Sequence, residues 1–453
     1  MAARLSGDAL ATALGTHLGG TVRDLRRLSG GASRVTSAFD LTVSSGSSRP
    51  LILQMDRGDA GATQGGKVQM ERALLEAAHR GGVPVPAVVA MGIGDDLGAD
   101  WLVVERLEGE TIPRKLLRDA EWGGPRRALT TQCAAALAAI HSIDPDAVTG
   151  LPHGDPLGDP LPYLDLLGEE RPALELGARW LERHRPAPGP RVTVHGDFRM
   201  GNLLVGPDGL RGVLDWELAH TGDPAEDIGW LCAPAWRFGG GGEVGGFGAL
   251  DELLDTYAAA GGGMLDRERV HWWQVYATVK WAVICALQAS AHLSGSTRSV
   301  ELAAIGRRVC ESEWDLFTLL DVTPTGPIPE PAAKGRVHAP FGRPTAAELV
   351  EAVREYLESV VMDRSEGGAR FEARVARNAL AIAERELLYG PDIADAHAHR
   401  LHDLGVADDA ALAAAIRAGG FDDEWEPLAA ALAAGARDQL LVANPSYLPV
   451  ASA

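Results

Sequence analysis

The chain has 453 residues, of which 46% are hydrophobic and 23% are charged. This length suffices for about two to four globular domains, and the composition excludes an intrinsically disordered chain. The formal net charge is −20, from 62 acidic and 42 basic residues. So acidic a surface excludes nucleic acid as a general partner, although it does not exclude a small anion held in a local basic pocket.

The cysteines and the apolar segments predict a cytoplasmic protein. The four cysteines lie far apart and form no CxxC pair, which is typical of reduced, buried thiols. The N-terminal segment is broken by Asp8 and lacks the apolar run of a signal peptide. The densest apolar stretch, Trp281 to Ala291, is too short to span a bilayer, so we expect no membrane contact.

The secondary-structure pattern changes along the first part of the chain. Gly/Ser-rich turns between short β-type runs predict an antiparallel meander. The predicted order is three strands, one helix and two strands, at residues 22–28, 38–43, 51–55, 67–80, 88–91 and 101–107. From about residue 113 helices dominate, including residues 127–141 and 269–293. The predicted fold class is therefore α+β.

A proline-rich segment divides the chain. Residues 323–344 contain six prolines, which predicts an extended linker between a domain at residues 1–322 and a second, all-α domain at residues 345–453. Thr345 and Glu348 form a capping-box sequence at the start of the second domain. Four helices are expected there, at residues 345–360, 371–389, 408–417 and 427–441, with Gly390-Pro391 ending the second of them.

The strongest chemical signal is VTVHGDFRMGNLLV at residues 192–205. An apolar strand leads into Asp197, Asn202 follows five residues later, and Asp215 ends another apolar strand. Phosphoryl transfer from ATP needs one carboxylate at the acceptor hydroxyl, and oxygen ligands that hold Mg²⁺ on the triphosphate. The spacing matches the catalytic loop of protein kinases. It predicts Asp197 as the catalytic carboxylate, and Asn202 and Asp215 as magnesium ligands.

Three motifs in order, HGDxxxxN, LDWE and GDPxxD, resemble the aminoglycoside-phosphotransferase (choline-kinase-like) family over roughly residues 15–320. The resemblance implies a two-lobed protein-kinase-like fold, with a small β lobe at about residues 15–107 and a helical lobe at about 108–322. It implies ATP and Mg²⁺ as cofactors, and His195 as a support for the catalytic loop. The implied nucleotide contacts are a phosphate loop, a helix glutamate and a hinge: Ser29, Gly30, Gly31, Ser33, Arg34, Glu71, Val103, Glu105 and Leu107.

Gln54 departs from the family pattern. It occupies the third-strand position where kinases carry lysine and relatives often carry arginine. An amide can hydrogen-bond a phosphate oxygen but cannot neutralise its charge. We therefore expect Arg34, Arg57 or Lys67 to supply the missing charge; otherwise nucleotide binding is weak.

Longer stretches resemble one branch of this family. They are LSGGASR, GVPVP, ERLEGETI, WELAHTGDPAEDIGWL and WRFGGGGEVGGFG, and they are similar to bacterial phosphotransferases related to the kinase-like domain of acyl-CoA dehydrogenase fusion proteins. This branch implies a hydroxyacyl-CoA thioester, notably a 4-hydroxyacyl-CoA, as the small-molecule substrate. It also implies a functional partnership with an acyl-CoA dehydrogenase. Residues 374–387 and 440–448 resemble a helical accessory domain of unknown role that often accompanies these enzymes.

The acceptor side is less well marked. Lys280 is a lone cation in the aromatic-rich helix 270–293, so it is expected either to bind an anionic substrate group or to reach solvent or an acidic neighbour. The other acceptor-side candidates are Glu217, Trp236 and Arg237, of which Glu217 is also a candidate for the surroundings of the metal. The glycine-rich loop at residues 237–248 is expected to be mobile, as a substrate gate or as a plain surface loop.

Three functions stay open on the sequence: phosphorylation of a hydroxyacyl-CoA, phosphorylation of an aminoglycoside, macrolide or other small alcohol, and a pseudokinase scaffold. Gln54 alone favours the scaffold. Asp223 and Asp227 are expected to be structural, capping the next helix and steadying the catalytic loop. A homodimer is left open.

Overall fold

The computed structural model describes residues 7–28, 34–56, 66–94, 97–154, 162–333 and 342–449. The phosphate-loop candidates Ser29, Gly30, Gly31 and Ser33, together with Arg57, lie outside the described residues. The strands are β1 (Gly20–Arg27), β2 (Arg34–Val43), β3 (Ser48–Asp56), β4 (Val88–Gly92), β5 (Trp101–Glu105), β6 (Val192–Val194), β7 (Leu203–Gly206), β8 (Gly209–Val213) and β9 (His220–Gly222).

Helices account for most of the remaining described chain. They are α1 (Gly7–Leu18), α2 (Gly66–Arg80), α3 (Pro113–Arg118), α4 (Gly123–His141), α5 (Pro162–Leu167), α6 (Pro172–Arg183), α7 (Pro224–Cys232), α8 (Leu250–Tyr257), α9 (Arg267–Leu293), α10 (Val300–Ile305), α11 (Val309–Leu319), α12 (Ala346–Tyr356), α13 (Gly367–Asp403), α14 (Asp409–Arg417) and α15 (Trp425–Ala443).

The first five strands form one antiparallel sheet in the order β1-β2-β3-β5-β4. Side chains alternate between its two faces, as strand geometry requires. Leu51 and Leu53 pack with Phe39 on one face, and Ile52 packs on the other face in the core that α2 shares. The predicted order of three strands, a helix and two strands is confirmed, and so is the α+β class.

The chain divides into two compact units. The first comprises residues 1–158 and 187–273. Its main core joins apolar side chains of α2, α4, α7 and α8 to the inner face of the sheet. Two short antiparallel ladders, β6 with β9 and β7 with β8, carry the segments that hold the chemical motifs.

The second unit comprises residues 159–186 and 274–453, so α9 begins in the first unit and continues into the second. Leu176 of α6 and Phe317 of α11 share an apolar core with Leu412, Ile416 and Leu428 of the C-terminal helices. The C-terminal region is all-helical, as predicted. The functional boundary at residues 323–344 stays a prediction.

The described start of the predicted linker is bound by a side chain of the C-terminal helices. Arg437 donates to the backbone carbonyls of Gly326 (3.2 Å) and Pro327 (2.7 Å). Thr345 and Glu348 form the predicted capping box at the start of α12.

The predicted end of a helix at Gly390-Pro391 is wrong, because α13 continues through both residues to Asp403. Proline cannot donate the helical hydrogen bond and crowds the preceding turn. Next to it, the carbonyl of Leu388 accepts the N–H of Ala332 at 2.9 Å. This contact lies beside the bond that the Leu387 carbonyl loses at Pro391, four residues later, and does not replace it.

The cysteine prediction is confirmed, since Cys133, Cys232, Cys285 and Cys310 are all unpaired and buried. In the part of the chain that the structure describes, no helix has both the length and the apolar character needed to cross a bilayer.

Candidate active site

A buried aspartate holds the catalytic loop in place. Asp227, in α7, is fully buried, and its carboxylate accepts the backbone N–H groups of His195 (2.7 Å) and Gly196 (2.9 Å). His141 donates to the same carboxylate at 3.2 Å. Burial alone would raise the pKa of Asp227, but these donors hold that pKa below its usual range. The expected structural role of Asp227 is confirmed, and Asp223 caps α7 by accepting the Ala225 N–H.

His195 joins the loop to the β7–β8 hairpin. Its Nε2–H donates to the carbonyl of Leu214 at 3.1 Å, and its Nδ1 accepts the backbone N–H of Asp197 at 3.2 Å. These two bonds require a neutral imidazole protonated at Nε2. Complete burial lowers the pKa of His195, which favours the same form. Gly196 adopts a positive φ of 78° against the carbonyl of Leu218, where a Cβ has no room.

Three donors fix the carboxylate of Asp197. Oδ1 accepts Trp230 Nε1–H at 2.7 Å and Arg199 Nε–H at 2.8 Å, while Oδ2 accepts Asn202 Nδ2–H at 2.6 Å. The residue is 9% exposed. Hydrogen bonds of this kind fix the orientation of the carboxylate. The arrangement suits a carboxylate that orients a hydroxyl and accepts its proton.

Sequence reasoning missed Arg199 and Trp230. The signal for Arg199 was its place two residues after Asp197 inside HGDFRMGN. Trp230 lies three residues after Asp227, on the same helix, and only the packing of α7 brings its indole to Asp197. No motif in the chain marks that contact.

The proposed metal ligands flank one hairpin. Asn202 precedes β7, Asp215 follows β8, and the Leu214 N–H donates to the Asn202 carbonyl at 2.9 Å. The Asn202 amide nitrogen is bound to Asp197, and no described residue donates to the amide oxygen, which leaves that oxygen for a metal. Asp215 adopts φ of 67°, a backbone conformation that is strained outside glycine and clusters at functional sites.

The charges around Asp215 fit a divalent cation. Asp215 opens to solvent on one side, yet the surrounding protein raises the pKa of its carboxyl to about 7. Loss of solvent is the largest cause, and the charges of Glu217, Asp197 and Glu71 add to it. A hard cation would relieve this repulsion. The Asn202 amide oxygen and the Asp215 carboxylate are oxygen donors of the kind that Mg²⁺ prefers; within the described residues no three His, Cys, Asp or Glu side chains converge on a metal position.

Arg34 supplies a cation near the position that Gln54 leaves neutral. Its guanidinium pairs with Glu71 of α2 and with Asp56 of β3, the latter at 2.8 Å. Arg34 and Glu71 are 8% and 3% exposed. Burial opposes the charge of Arg34, but Glu71 more than compensates, so the pKa of Arg34 lies above its usual value. Lys67 is exposed; of the two predicted substitutes that the structure describes, Arg34 is the one paired with the helix glutamate.

The register of the sheet explains this substitution. Arg34 stands opposite Asp56, and Thr36 stands opposite Gln54, so Gln54 and Asp56 lie on the same face as Arg34. That face is the one on which Ile52 packs with the α2 core. Arg34 therefore reaches Glu71 from the neighbouring strand.

The three hinge candidates have different surroundings. Val103 is fully buried on the face of the sheet away from α2, among Leu51, Leu53 and Trp101, so its side chain is part of the core, and a contact of this residue with the nucleotide stays a prediction. Glu105, the last residue of β5, is exposed. Leu107 lies next to Gly212, which belongs to strand β8 of the hairpin that leads to Asp215. Contacts of Glu105 and Leu107 with adenine stay predictions.

Two of the acceptor-side candidates, Trp236 and Glu217, lie beside residues of the candidate site; for Arg237 and Lys280 the structure gives other surroundings. Trp236 is buried, and its ring lies under the Arg199 guanidinium at 4.7 Å. Glu217 is close enough to raise the pKa of Asp215. Arg237 instead donates twice to the Cys232 carbonyl. Lys280 is 2% exposed and belongs to the second unit.

The prediction of a mobile glycine-rich loop is wrong. Val244 at its centre is fully buried, and Gly245 N–H donates to the Leu231 carbonyl at 3.1 Å. Gly242 and Gly246 pair as a β-bridge. A Cβ on Gly242 would meet the backbone of Gly248, and a Cβ on Gly246 would meet the backbone of Arg237. The glycines allow close packing, which a count of glycines cannot distinguish from flexibility.

Two family models match separate regions of the chain. A model of the phosphotransferase enzyme family (APH) matches residues 24–273. The chain belongs to this family. A second model, a domain of unknown function (DUF6285), matches residues 363–447. The predicted family resemblance is confirmed, and the C-terminal helices coincide with the second match.

Two curated relatives show what the phosphotransferase region is similar to. Acyl-CoA dehydrogenase family member 10 of Mus musculus is 29% identical over 231 residues, which cover 48% of this chain and 21% of that protein. Aminoglycoside 3'-phosphotransferase of Streptomyces fradiae is 32% identical over 174 residues, which cover 34% of this chain and 59% of that protein. The chain thus spans only part of either relative.

Solved structures agree on the fold. A Ralstonia eutropha protein provisionally named an aminoglycoside phosphotransferase has a TM-score of 0.54 at 19% identity, covering 70% of this chain and 99% of that one. Spectinomycin phosphotransferase APH(9)-Ia, solved with ADP and spectinomycin, has a TM-score of 0.50 at 14% identity, covering 69% and 98%. The fold of the phosphotransferase is kinase-like.

Proposed function

We propose that this phosphotransferase moves the γ-phosphoryl group of ATP to the hydroxyl of a small molecule, and that the acceptor is a hydroxyacyl-CoA. The observation that carries the proposal is the set of contacts around Asp197. One hairpin brings Asn202 and Asp215 to the same place, and Asn202 itself binds the Asp197 carboxylate. Few arrangements other than phosphoryl transfer need all three groups together.

Each residue has a separate task in the proposed reaction. Asp197 orients the acceptor hydroxyl and accepts its proton as the oxygen attacks phosphorus. The bond between the γ-phosphorus and the bridging oxygen breaks, and ADP leaves. Asn202 and Asp215 would hold Mg²⁺, which when bound neutralises charge on the phosphates. Arg34 would add positive charge near the phosphates, and Asp227 and His195 keep the loop rigid.

The acceptor proposal is supported by the acyl-CoA dehydrogenase relative and by chemistry. Hydroxide is a poor leaving group and phosphate is a good one, so phosphorylation prepares a hydroxyacyl thioester for later elimination. A dehydrogenase acting on acyl-CoA thioesters would use the same class of carrier. The Streptomyces fradiae relative favours a second candidate, an aminoglycoside, whose positive charge would suit the acidic chain.

The scaffold hypothesis loses its support. It rested on Gln54 alone, and the buried pair of Arg34 with Glu71 restores a cation next to the helix glutamate. A protein that only binds partners has no need for a fixed Asp197 carboxylate and an adjacent pair of metal ligands.

The test is mass spectrometry of 3-, 4- and 5-hydroxyacyl-CoA thioesters, and of an aminoglycoside panel, after incubation with the protein and Mg-ATP. A gain of one phosphate on a thioester, absent with Asp197→Asn, supports the proposal. A gain on an aminoglycoside alone replaces the acceptor. No transfer to either class and no binding of Mg-ATP would refute the function.

A further inference from the structure

Arg199 holds an unusual position beside the catalytic carboxylate. Its Nε–H donates to Asp197 Oδ1 at 2.8 Å, and its central carbon Cζ lies over the Trp236 ring, 4.7 Å from the ring centre. A guanidinium is rigid and planar. Holding Nε on Asp197 and Cζ over Trp236 therefore restricts the directions of the other two nitrogens.

Those two nitrogens are available. Among the residues that the structure describes, none accepts a hydrogen bond from Nη1 or Nη2 of Arg199, whose side chain is 26% exposed. The other arginine of the site, Arg34, is committed to Glu71 and Asp56 and is almost fully buried. Arg199 is thus a preoriented cation with up to four N–H donors left for an anion.

We propose that Arg199 binds the phosphoryl group while it is transferred, through Nη1 and Nη2. This inference rests on the proposed phosphotransferase function and adds a catalytic residue to it. The acceptor oxygen must lie against Asp197, and the attacked phosphorus lies about 3 Å from that oxygen before the bond forms. A guanidinium attached to the same carboxylate faces this phosphorus and its equatorial oxygens.

The chemistry of the step favours this role. As the bond from phosphorus to the bridging oxygen breaks and the bond to the acceptor oxygen forms, negative charge spreads over the three equatorial oxygens of the phosphoryl group. A donor that is fixed before the reaction stabilises this charge without reorganising. The proton of the acceptor goes to Asp197, so Arg199 stays charged throughout.

Two neighbours keep the guanidinium in this orientation. Trp236 supports its face, and its own ring lies against Trp230 at 5.5 Å. On the other side, a Cβ on Gly201 would occupy the place of Arg199 Nη1. A side-chain end can move away where a backbone atom cannot, so Gly201→Ala should displace the guanidinium and leave the fold intact.

The experiment measures the affinity of the full chain for Mg-ADP by calorimetry, with and without tetrafluoroaluminate, a mimic of the phosphoryl group in flight. The wild-type protein should bind Mg-ADP about 10-fold to 100-fold more tightly with the mimic. Arg199→Ala and Gly201→Ala should bind Mg-ADP alone within about twofold of wild type and lose most of that gain. Arg199→Lys should keep part of it.

Arg118→Ala, which removes a largely exposed arginine, and Gly124→Ala, which adds a methyl where no atom lies within 4 Å, are the matched controls and should keep the full gain. A full gain in Arg199→Ala would overturn the proposal. A higher KM for the acceptor with an unchanged kcat in Arg199→Ala would also overturn it, because Arg199 would then bind the acceptor and not the transferred phosphoryl group. A wild-type protein that binds neither Mg-ADP nor Mg-ATP would refute the phosphotransferase itself.

Discussion

Exchanging the positive charge between two strands tests why Gln54 is tolerated. Arg34→Met removes the cation and leaves the Glu71 carboxylate, which is 3% exposed, without its partner. Breaking a buried ion pair on one side costs about 3–5 kcal/mol. At about 2–4 °C per kcal/mol for a unit of this size, the midpoint of the first thermal unfolding transition should fall by about 6–20 °C.

The double variant Arg34→Met with Gln54→Lys returns a cation to the same face of the sheet. It should recover more than half of the lost melting temperature, and it should restore Mg-ATP affinity, which Arg34→Met lowers by about 10-fold or more. Differential scanning calorimetry and isothermal titration calorimetry measure the two quantities. Arg49→Met, which removes an exposed arginine from the same sheet, is the control and should change neither.

Either of two results would refute this reasoning. An Arg34→Met protein as stable as the wild type would mean that the pair with Glu71 contributes nothing. If the double variant had the same melting temperature and Mg-ATP affinity as Arg34→Met alone, a cation at residue 54 could not replace the cation at residue 34.

Three further predictions concern the catalytic loop. Asp197→Asn should lower turnover by about 10³-fold or more with an unchanged melting temperature, and steady-state kinetics with thermal melts would check this; turnover near wild type would remove Asp197 from the mechanism. Trp230→Phe keeps an aromatic side chain but loses the N–H bond to Asp197, so kcat should fall by about 10-fold with Mg-ATP affinity unchanged; an unchanged kcat would contradict the role of that bond. Burial lowers the pKa of His195 in the folded protein. The contribution of this residue to stability is therefore fully present above the unfolded pKa of about 6.5 and is lost as the pH falls toward the folded pKa. Melting curves from pH 8 to pH 5 should show this loss, and His195→Asn should make the melting temperature less dependent on pH.

The sequence predicted those parts of the site that are local in the chain. His195, Asp197 and Asn202 lie within eight residues, and their order in a strand-loop-strand pattern was enough to predict that they share one loop and to propose their roles. The order of elements in the sheet lobe followed in the same way from alternation and turn residues.

What the sequence left open depends on contacts between distant segments. The choice of Arg34 as the substitute cation is decided by the register of β2 against β3. The bond from Trp230 to Asp197 depends on how α7 packs, and α13 continues through Gly390-Pro391, a pair that locally predicts a helix end. Neither propensity nor spacing contains this information.

The shared core of the second unit has a consequence for producing the phosphotransferase by itself. Leu176 and Phe317 are buried against side chains of the C-terminal helices. A chain cut at residue 345 would place these side chains in water at about 1.5–3 kcal/mol each, and the bared surface would promote aggregation. A shortened protein that aggregates would therefore say nothing about catalysis. Where a related enzyme has its helical companion on a separate polypeptide, co-expression of the two is the natural route to soluble material.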